Sequence, residues 1–331
     1  MASRQYISII RLFNHCGIST SDDLDLSRIK KQLQAEFGIA GGGFIEVDGH
    51  AYSRHDVFEE IERPDFKQRL VFHRQIWQRP QILQLLENNI ADLSNIRAEF
   101  APFWNNKNFD DFFSPYFVGP FNYLSRTLLA DSSLEEMGDL LAYEDFLQPA
   151  EREEAYRPVR VFLDENLRIL RNVNKENYKM MRPKIAHWIG KKWSPFFNNL
   201  PHEFYDIKID ITTFLINIGV AVQKTHRRDC RQMSEQLVLL QDVPENLRNL
   251  IASNHTVYTG PRGRRWSFGW GNGFWMIWVA IMVFRAIGSD GCGENKTYYK
   301  EIIPPKFYVP DSFIKIVPDS TLKTDRRPVL R

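Results

Sequence analysis

Residues 207–222, IKIDITTFLINIGVAV, decide the fold reading of this chain. Phe214, Leu215, Ile218 and Val222 recur at the three- and four-residue spacing that an α-helix gathers onto one face. A helix this apolar needs cover from other elements, so it is expected at the centre of a helical core. Working outward, residues 231–240 continue the helical pattern, and Pro244 opens another helix through Leu247 and Leu250. Upstream, Leu70, Phe72, Ile76 and Trp77 mark a helix that ends before Pro80, with Ile82, Leu83, Leu85 and Leu86 continuing after it. Residues 121–130, 134–147 and 159–170 each support a further helix, separated by Asp131-Ser132-Ser133 and by Pro149. Ser133 or Asp131 is expected to cap the second of these, with Glu135 and Glu136 at its positive end.

An internal echo runs through this body. Pro102-Phe103-Trp104-Asn105-Asn106 recurs 93 positions later as Pro195-Phe196-Phe197-Asn198-Asn199, and the same offset sets Phe121 against Phe214 and Leu147-Gln148 against Leu240-Gln241. Duplicated helix pairs, which stack into solenoid-like binding surfaces, would produce such an echo.

The first sixty-two residues form a smaller unit. Leu26, Ile29, Leu33 and Phe37 lie on one helical face, with Gly38 as the expected stop. The run FIEVDGHAYS reads as a hairpin with an Asp48-Gly49 turn, and Ser53 is placed to cap the helix through Val57, Phe58 and Ile61. A winged nucleic-acid-binding module has this element order. It also needs a basic face, whereas Glu46, Asp48, Asp56, Glu59, Glu60 and Glu62 dominate here, so nucleic acid is not the expected partner.

Beyond the body, residues 266–284 read WSFGWGNGFWMIWVAIMVF without a charged side chain and hold four of the chain's eight tryptophans. Nineteen residues of helix rise about 28 Å, close to the roughly 30 Å of a bilayer's hydrocarbon core. Trp266 and Trp270 suit one interface, and Arg285 can snorkel to the other, extending the span to 266–287. Arg248, Arg262, Arg264 and Arg265 precede the segment, whereas Arg285, Lys296 and Lys300 follow it. That bias places the body in the cytoplasm and the tail outside. Interface anchors are thus expected at Arg264, Arg265, Trp266, Trp270 and Arg285. No secretory leader is legible near the N-terminus, because Ser8 and Arg11 break its apolar stretch. Residues 288–331, with Pro304, Pro305, Pro310, Pro318 and Pro328, read as an extended tail.

Composition is ordinary for a globular chain, with 43% hydrophobic and 25% charged residues and a formal charge of +2. Three cysteines, Cys16, Cys230 and Cys292, lack metal-binding spacing and read as reduced thiols. No GxxxxGK[ST], GxSxG or HExxH occurs, so no catalytic, cofactor or metal residues are assigned. The histidines at 50, 55 and 202 fall near one another or near Asp206 but complete no ligand set. Among the paired carboxylates Asp22-Asp23, Asp110-Asp111, Glu135-Glu136 and Glu153-Glu154, only Asp110-Asp111 sits among aromatics, between Phe109 and Phe112. Arg227-Arg228-Asp229 reads as an exposed, ion-paired helix end.

The sequence therefore predicts a mainly α protein: a small helix/hairpin/helix unit over 1–62, a helical-bundle or helix-pair cytoplasmic body over 63–260, a single transmembrane helix over 266–287, and a proline-rich tail over 288–331. The expected role is a membrane-held interaction or scaffolding module with a protein partner. Two alternatives compete with it. One is a soluble or peripheral enzyme whose tryptophan-rich segment lines a core or a substrate channel, and the other is a membrane-tethered nucleic-acid regulator using residues 1–62.

Overall fold

The computed structural model describes residues 4–19, 25–41 and 43–260. All of them belong to one structural unit, Met1–Arg262. The chain begins with α1 (Ile9–His15) and α2 (Leu26–Ala40), then a hairpin of β1 (Phe44–Val47) and β2 (His50–Ser53), then α3 (Arg54–Ile61). Next come α4 (Phe66–Trp77), α5 (Pro80–Asn88), α6 (Leu93–Phe100), α7 (Lys107–Ala130), α8 (Leu134–Leu141), α9 (Pro149–Ala155) and α10 (Arg157–Arg171). Finally α11 (Tyr178–Met181), α12 (Ala186–Gly190), α13 (Ser194–Asn198), α14 (Tyr205–Val222), α15 (Arg227–Leu237) and α16 (Glu245–Thr259) complete the described chain. It is mainly helical with one small antiparallel sheet.

Local chemistry explains most boundaries. Asp48 and Gly49 both take positive φ, 50° and 79°, which closes the two-residue turn and sets Ile45 opposite Tyr52. Ser53 caps α3 by accepting from the Asp56 amide at 3.0 Å. Pro80 opens α5 at its first turn.

Four sequence expectations shift. The second helix passes through Gly38 and stops at Gly41, where φ is 68°, because a glycine inside a helix costs only about 1 kcal/mol whereas the left-handed exit needs one. The helix expected from Phe121 starts at Lys107 and runs through Pro115 and Pro120, held by the buried Phe109, Phe112, Phe113, Phe117 and Phe121. Ser133 occupies the N-cap of α8 but makes no side-chain cap bond. That helix ends at Leu141, and a separate short turn carries Glu144–Phe146.

Two apolar clusters form the core. The first gathers Phe13, Leu33, Phe37, Tyr52, Val57, Ile61, Phe66 and Leu70. The second joins Tyr6 to residues from Phe72 to Tyr258 and includes Leu215, Ile218 and Val222 of α14, all buried as expected, while Phe214 packs at its edge. Each fully buried side chain of this kind stabilises the fold by about 1.5–3 kcal/mol. The fourth helix belongs to both, with Phe66 and Leu70 in one cluster and Phe72 and Ile76 in the other.

The helix order repeats at the 93-residue offset. Shifted by it, α6, α7 and α8 fall on α12, α14 and α15, and the Pro102–Asn106 segment falls on α13. The two halves meet where α8 packs on α13. A Cβ at Gly138 would lie 2.6 Å from the Phe196 nitrogen and the Pro195 carbonyl carbon, and the Asn199 amide donates to the Gly138 carbonyl at 2.9 Å.

Among the described residues no helix is long and apolar enough to cross a membrane. The expected transmembrane segment 266–287, its anchors Arg264, Arg265, Trp266, Trp270 and Arg285, and the tail 288–331 lie outside the described residues.

Candidate functional site

Where the two clusters join, a group of polar side chains is buried. Glu60, in the last turn of α3, is 4% exposed; Arg69 and His73, four apart on α4, are 8% and 0% exposed. Arg69 grips Glu60 in a fork, Nε to Oε1 at 2.5 Å and Nη2 to Oε2 at 3.0 Å. The Tyr116 hydroxyl from α7 donates to Glu60 Oε2 at 3.0 Å and accepts from Arg69 Nη2 at 2.8 Å. His73 Nε2 lies 3.2 Å from Glu60 Oε1, and its Nδ1 lies 3.1 Å from the Tyr6 hydroxyl. The guanidinium of Arg69 also stacks 4.6 Å from the Phe112 ring.

Charge states follow from this geometry. Burial alone would raise the Glu60 carboxyl, but hydrogen bonds from His73 and Arg69 and their charge hold it down, to about 2. His73 is lowered by burial, with only partial compensation from Glu60. The permanent cation that keeps Glu60 ionised is therefore Arg69. Neutral His73 donates from Nε2 to Glu60 and accepts the Tyr6 hydroxyl proton at Nδ1, a tautomer assigned from the partners on each side. Tyr6 and Tyr116 are pushed up, chiefly by burial, and remain hydroxyls.

This arrangement clamps rather than catalyses. A carboxylate has about four acceptor positions, and Arg69, Tyr116 and His73 occupy them all. At about 2, Glu60 is also far too weak a base for proton transfer near neutrality. What the clamp does is fix Arg69 and Tyr116, which form part of the lining of a cavity of about 560 Å³.

The cavity is rich in charge of both signs. Arg4, Arg63, Arg69, Arg157 and Arg160 line it, as do Asp111, Glu151, Glu153 and Glu154, with Pro115, Val118 and Ala150 between them. Some of these charges are already paired. Arg4 reaches Glu59 at 3.1 Å, and Arg160 reaches Glu203 at 3.2 Å while lying 5.0 Å from the Phe204 ring. Arg63 pairs with Glu59 at 3.7 Å and with Glu60 at 3.4 Å, although its Nε, like Glu151 Oε2, is buried without a hydrogen-bond partner among the described residues. Arg157 is exposed and has no ion pair among the described residues.

The structure treats the residues singled out in the sequence unevenly. Asp111 and the pair Glu153-Glu154 come together in the cavity wall. Asp110 is not part of that lining, and it is pushed up to about 6 by burial, then by Asp111 and Asp145. Asp22-Asp23 lie outside the described residues. His50 approaches Glu87 at 3.7 Å and His55 approaches Glu59 at 3.9 Å; among the described residues no three His, Cys, Asp or Glu side chains gather around one point. Asp229, expected on an exposed helix end, is 5% exposed. It binds Arg182 at 2.6 and 2.9 Å and Tyr178 at 2.9 Å, while Arg227 donates to the Val257, Tyr258 and Gly260 carbonyls at the end of α16. Cys16 and Cys230 are buried free thiols, pushed up by burial to about 11 and about 12.

Sequence reasoning missed the Glu60–Arg69–His73–Tyr116 clamp. Its one legible trace was Arg69 and His73, four apart, interleaved with the apolar Leu70, Phe72 and Ile76 on a helix read as core. No protein-family model, no curated protein and no solved structure matches the chain.

Proposed function

We propose that this chain is a binding protein held at a membrane by residues 266–287, with its helical body in the cytoplasm presenting the charged cavity to a ligand or partner. The observation that carries the reading is the cavity itself. It is wide, it is backed by a fully hydrogen-bonded clamp, and Arg157 in its lining has no ion pair among the described residues. Side chains that serve only stability are ordinarily satisfied internally, as Glu60 and Asp229 are here. Groups held unpaired on a rigid wall fit a surface that is completed by something else. Membrane attachment is supported by the uncharged, tryptophan-rich stretch and by the arginines that precede it.

Fractionation tests the attachment. The full chain should stay with membranes through a carbonate wash, and a chain ending at residue 260 should be released. Release of the full chain by the wash, or retention of the shortened one, would overturn the assignment of residues 266–287 as the anchor.

A further inference from the structure

Positive charge is concentrated in two stretches of the body. Residues 172–192 and 223–232 hold ten lysines and arginines against two acids, whereas acids outnumber these bases over the remainder of the chain. One of the two acids, Asp229, is buried and taken up by Arg182 and Tyr178. Lys191 and Lys192 are occupied by the Asp131 and Ser132 carbonyls and by Glu135. Lys175, Lys179, Lys184, Lys224 and Arg228 are exposed and have no ion pair among the described residues.

The contacts that bury Asp229 bring three elements to one end of the body. Tyr178 of α11 and Arg182 just after it hold Asp229, in the first turn of α15, at 2.9 and 2.6 Å. The Tyr178 ring also lies 4.6 Å from that of His226. Arg227, next to His226, donates to the carbonyls of Val257, Tyr258 and Gly260 at the end of α16, where a cation complements the helix dipole. Two apolar side chains stand out of this basic region: Met180 is 71% exposed and Val257 46%.

The end of α16 is also where the chain leaves for the expected anchor. Six residues separate Gly260 from Trp266, a reach of at most about 22 Å even when fully extended. A segment entering a bilayer at residue 266 therefore keeps this end of the body close to the lipid. The cytoplasmic leaflet is negatively charged, and each lysine or arginine near such a surface favours contact about fivefold. Exposed apolar side chains between the cations suit the boundary of headgroups and acyl chains. Nucleic acid carries the same charge, but bases stack on exposed aromatic rings, and Met180 and Val257 offer none.

We propose that the surface formed by α11, the start of α15 and the end of α16 docks on an anionic lipid bilayer. Lys175, Lys179, Lys184, Lys224 and Arg228 lie over the headgroups, and Met180 enters between them. The proposal rests on reading residues 266–287 as the anchor, and it adds which face of the body meets the lipid.

The test uses the full chain with Met180→Cys carrying an environment-sensitive dye and with Cys292→Ser; Cys16 and Cys230 are buried and do not compete for the label. The protein is reconstituted into vesicles of phosphatidylcholine alone, or with about one part in three phosphatidylserine. With phosphatidylserine the emission should shift to the blue at low salt. It should return to its aqueous position at about 1 M salt, where the Debye length is about 3 Å. Combining Lys175→Glu, Lys179→Glu and Lys184→Glu should lower the ratio of docked to undocked protein at least about tenfold, with the melting point unchanged. Emission that is the same in both vesicle types would overturn the proposal, as would full docking by the triple variant or a blue shift indifferent to salt. So would a dye response to duplex DNA at equal phosphate concentration with none to the vesicles. Flotation with pure phosphatidylcholine vesicles reports the anchor alone, so failure of the anchor and failure of the docking surface are separate results.

Discussion

The segments around α7 and around α14 follow the same helix order from α6 to α8 and from α12 to α15, yet matching positions carry opposite chemistry. In the first, charged residues from α4, α7, α9, α10, the chain before α1 and the loop after α3 surround about 560 Å³. Positions held by Asp111, Glu154 and Arg157 there are held by Phe204, Leu247 and Leu250 in the other, where Phe204 and Leu247 belong to the apolar core. The comparison teaches that an apolar residue is an available solution at these positions of the frame. The charged filling needs the Glu60 clamp behind it, because buried ions are tolerated only when tightly paired.

The clamp gives the largest expected effect. Glu60→Gln leaves the 8%-exposed Arg69 without its carboxylate and should cost about 3–5 kcal/mol in urea denaturation. Removing both charges, Glu60→Leu with Arg69→Met, should recover much of that loss. If Glu60→Gln alone is neutral, the first half does not depend on the clamp and the contrast collapses.

Acid separates the contributions by pH. His187, whose Nε2 bonds Asn166 Oδ1 at 2.7 Å, is lowered to about 4 by burial and then by Lys191. The unfolded chain takes up that proton first, so stability on the order of 3 kcal/mol should be lost as pH falls from 6.5 to about 4. His73, also lowered, adds to the loss below 6.5. Glu60 has the opposite ionisation but the same direction: its depressed carboxyl stabilises the fold above 4.5, and that contribution fades as pH falls toward 2. His187→Gln should flatten the upper part of the urea-midpoint profile and leave the lower part. An unchanged upper part would assign it to His73.

At the join of the halves, Gly138→Ala should cost about 1–3 kcal/mol, since the added Cβ meets backbone at 2.6 Å and not a side chain that can swing aside. A melting point equal to that of the parent protein would show that α8 and α13 can separate without loss. Smaller still is Asp110→Asn. Because its folded carboxyl is raised from 3.8 to about 6, the unfolded chain ionises first and stability is lost as pH rises through that window, so the variant should gain under about 1 kcal/mol at pH 7 after solvent screening. Tyr258→Phe sets the floor. Its buried hydroxyl has no hydrogen-bond partner among the described residues, so removing it should leave the urea midpoint unchanged or slightly higher. A clear loss would reveal a polar role in the second half that its apolar residues do not predict.

What the sequence made legible was mostly local. The turn at Asp48-Gly49, the cap at Ser53, the break at Pro80 and the central placement of α14 follow from the few residues on either side. What escaped it depended on distant partners. The sequence predicts a helix only from Phe121, yet the phenylalanines of α7 carry it through Pro115 and Pro120, and the Arg4 amide bonds the Pro115 carbonyl at 3.2 Å. Asp229 read as an exposed end because Arg182 and Tyr178, its partners, lie 47 and 51 positions away. Glu60 looked like one more acid on an acidic face, since nothing within its own helix announces Arg69 or Tyr116. The cavity was invisible for the same reason: its walls come from α4, α7, α9, α10, the loop after α3 and the chain before α1.

The buried thiols make this protein convenient to map by chemical labelling. Maleimides attack thiolate, and Cys16 and Cys230, pushed up to about 11 and about 12 and shielded from solvent, hold almost none near neutral pH. Only Cys292 remains of the three. Prompt modification of the native chain would therefore report on that one position without any cysteine being replaced. A reagent unable to cross a bilayer, applied to sealed cells, would then tell which side residue 292 faces.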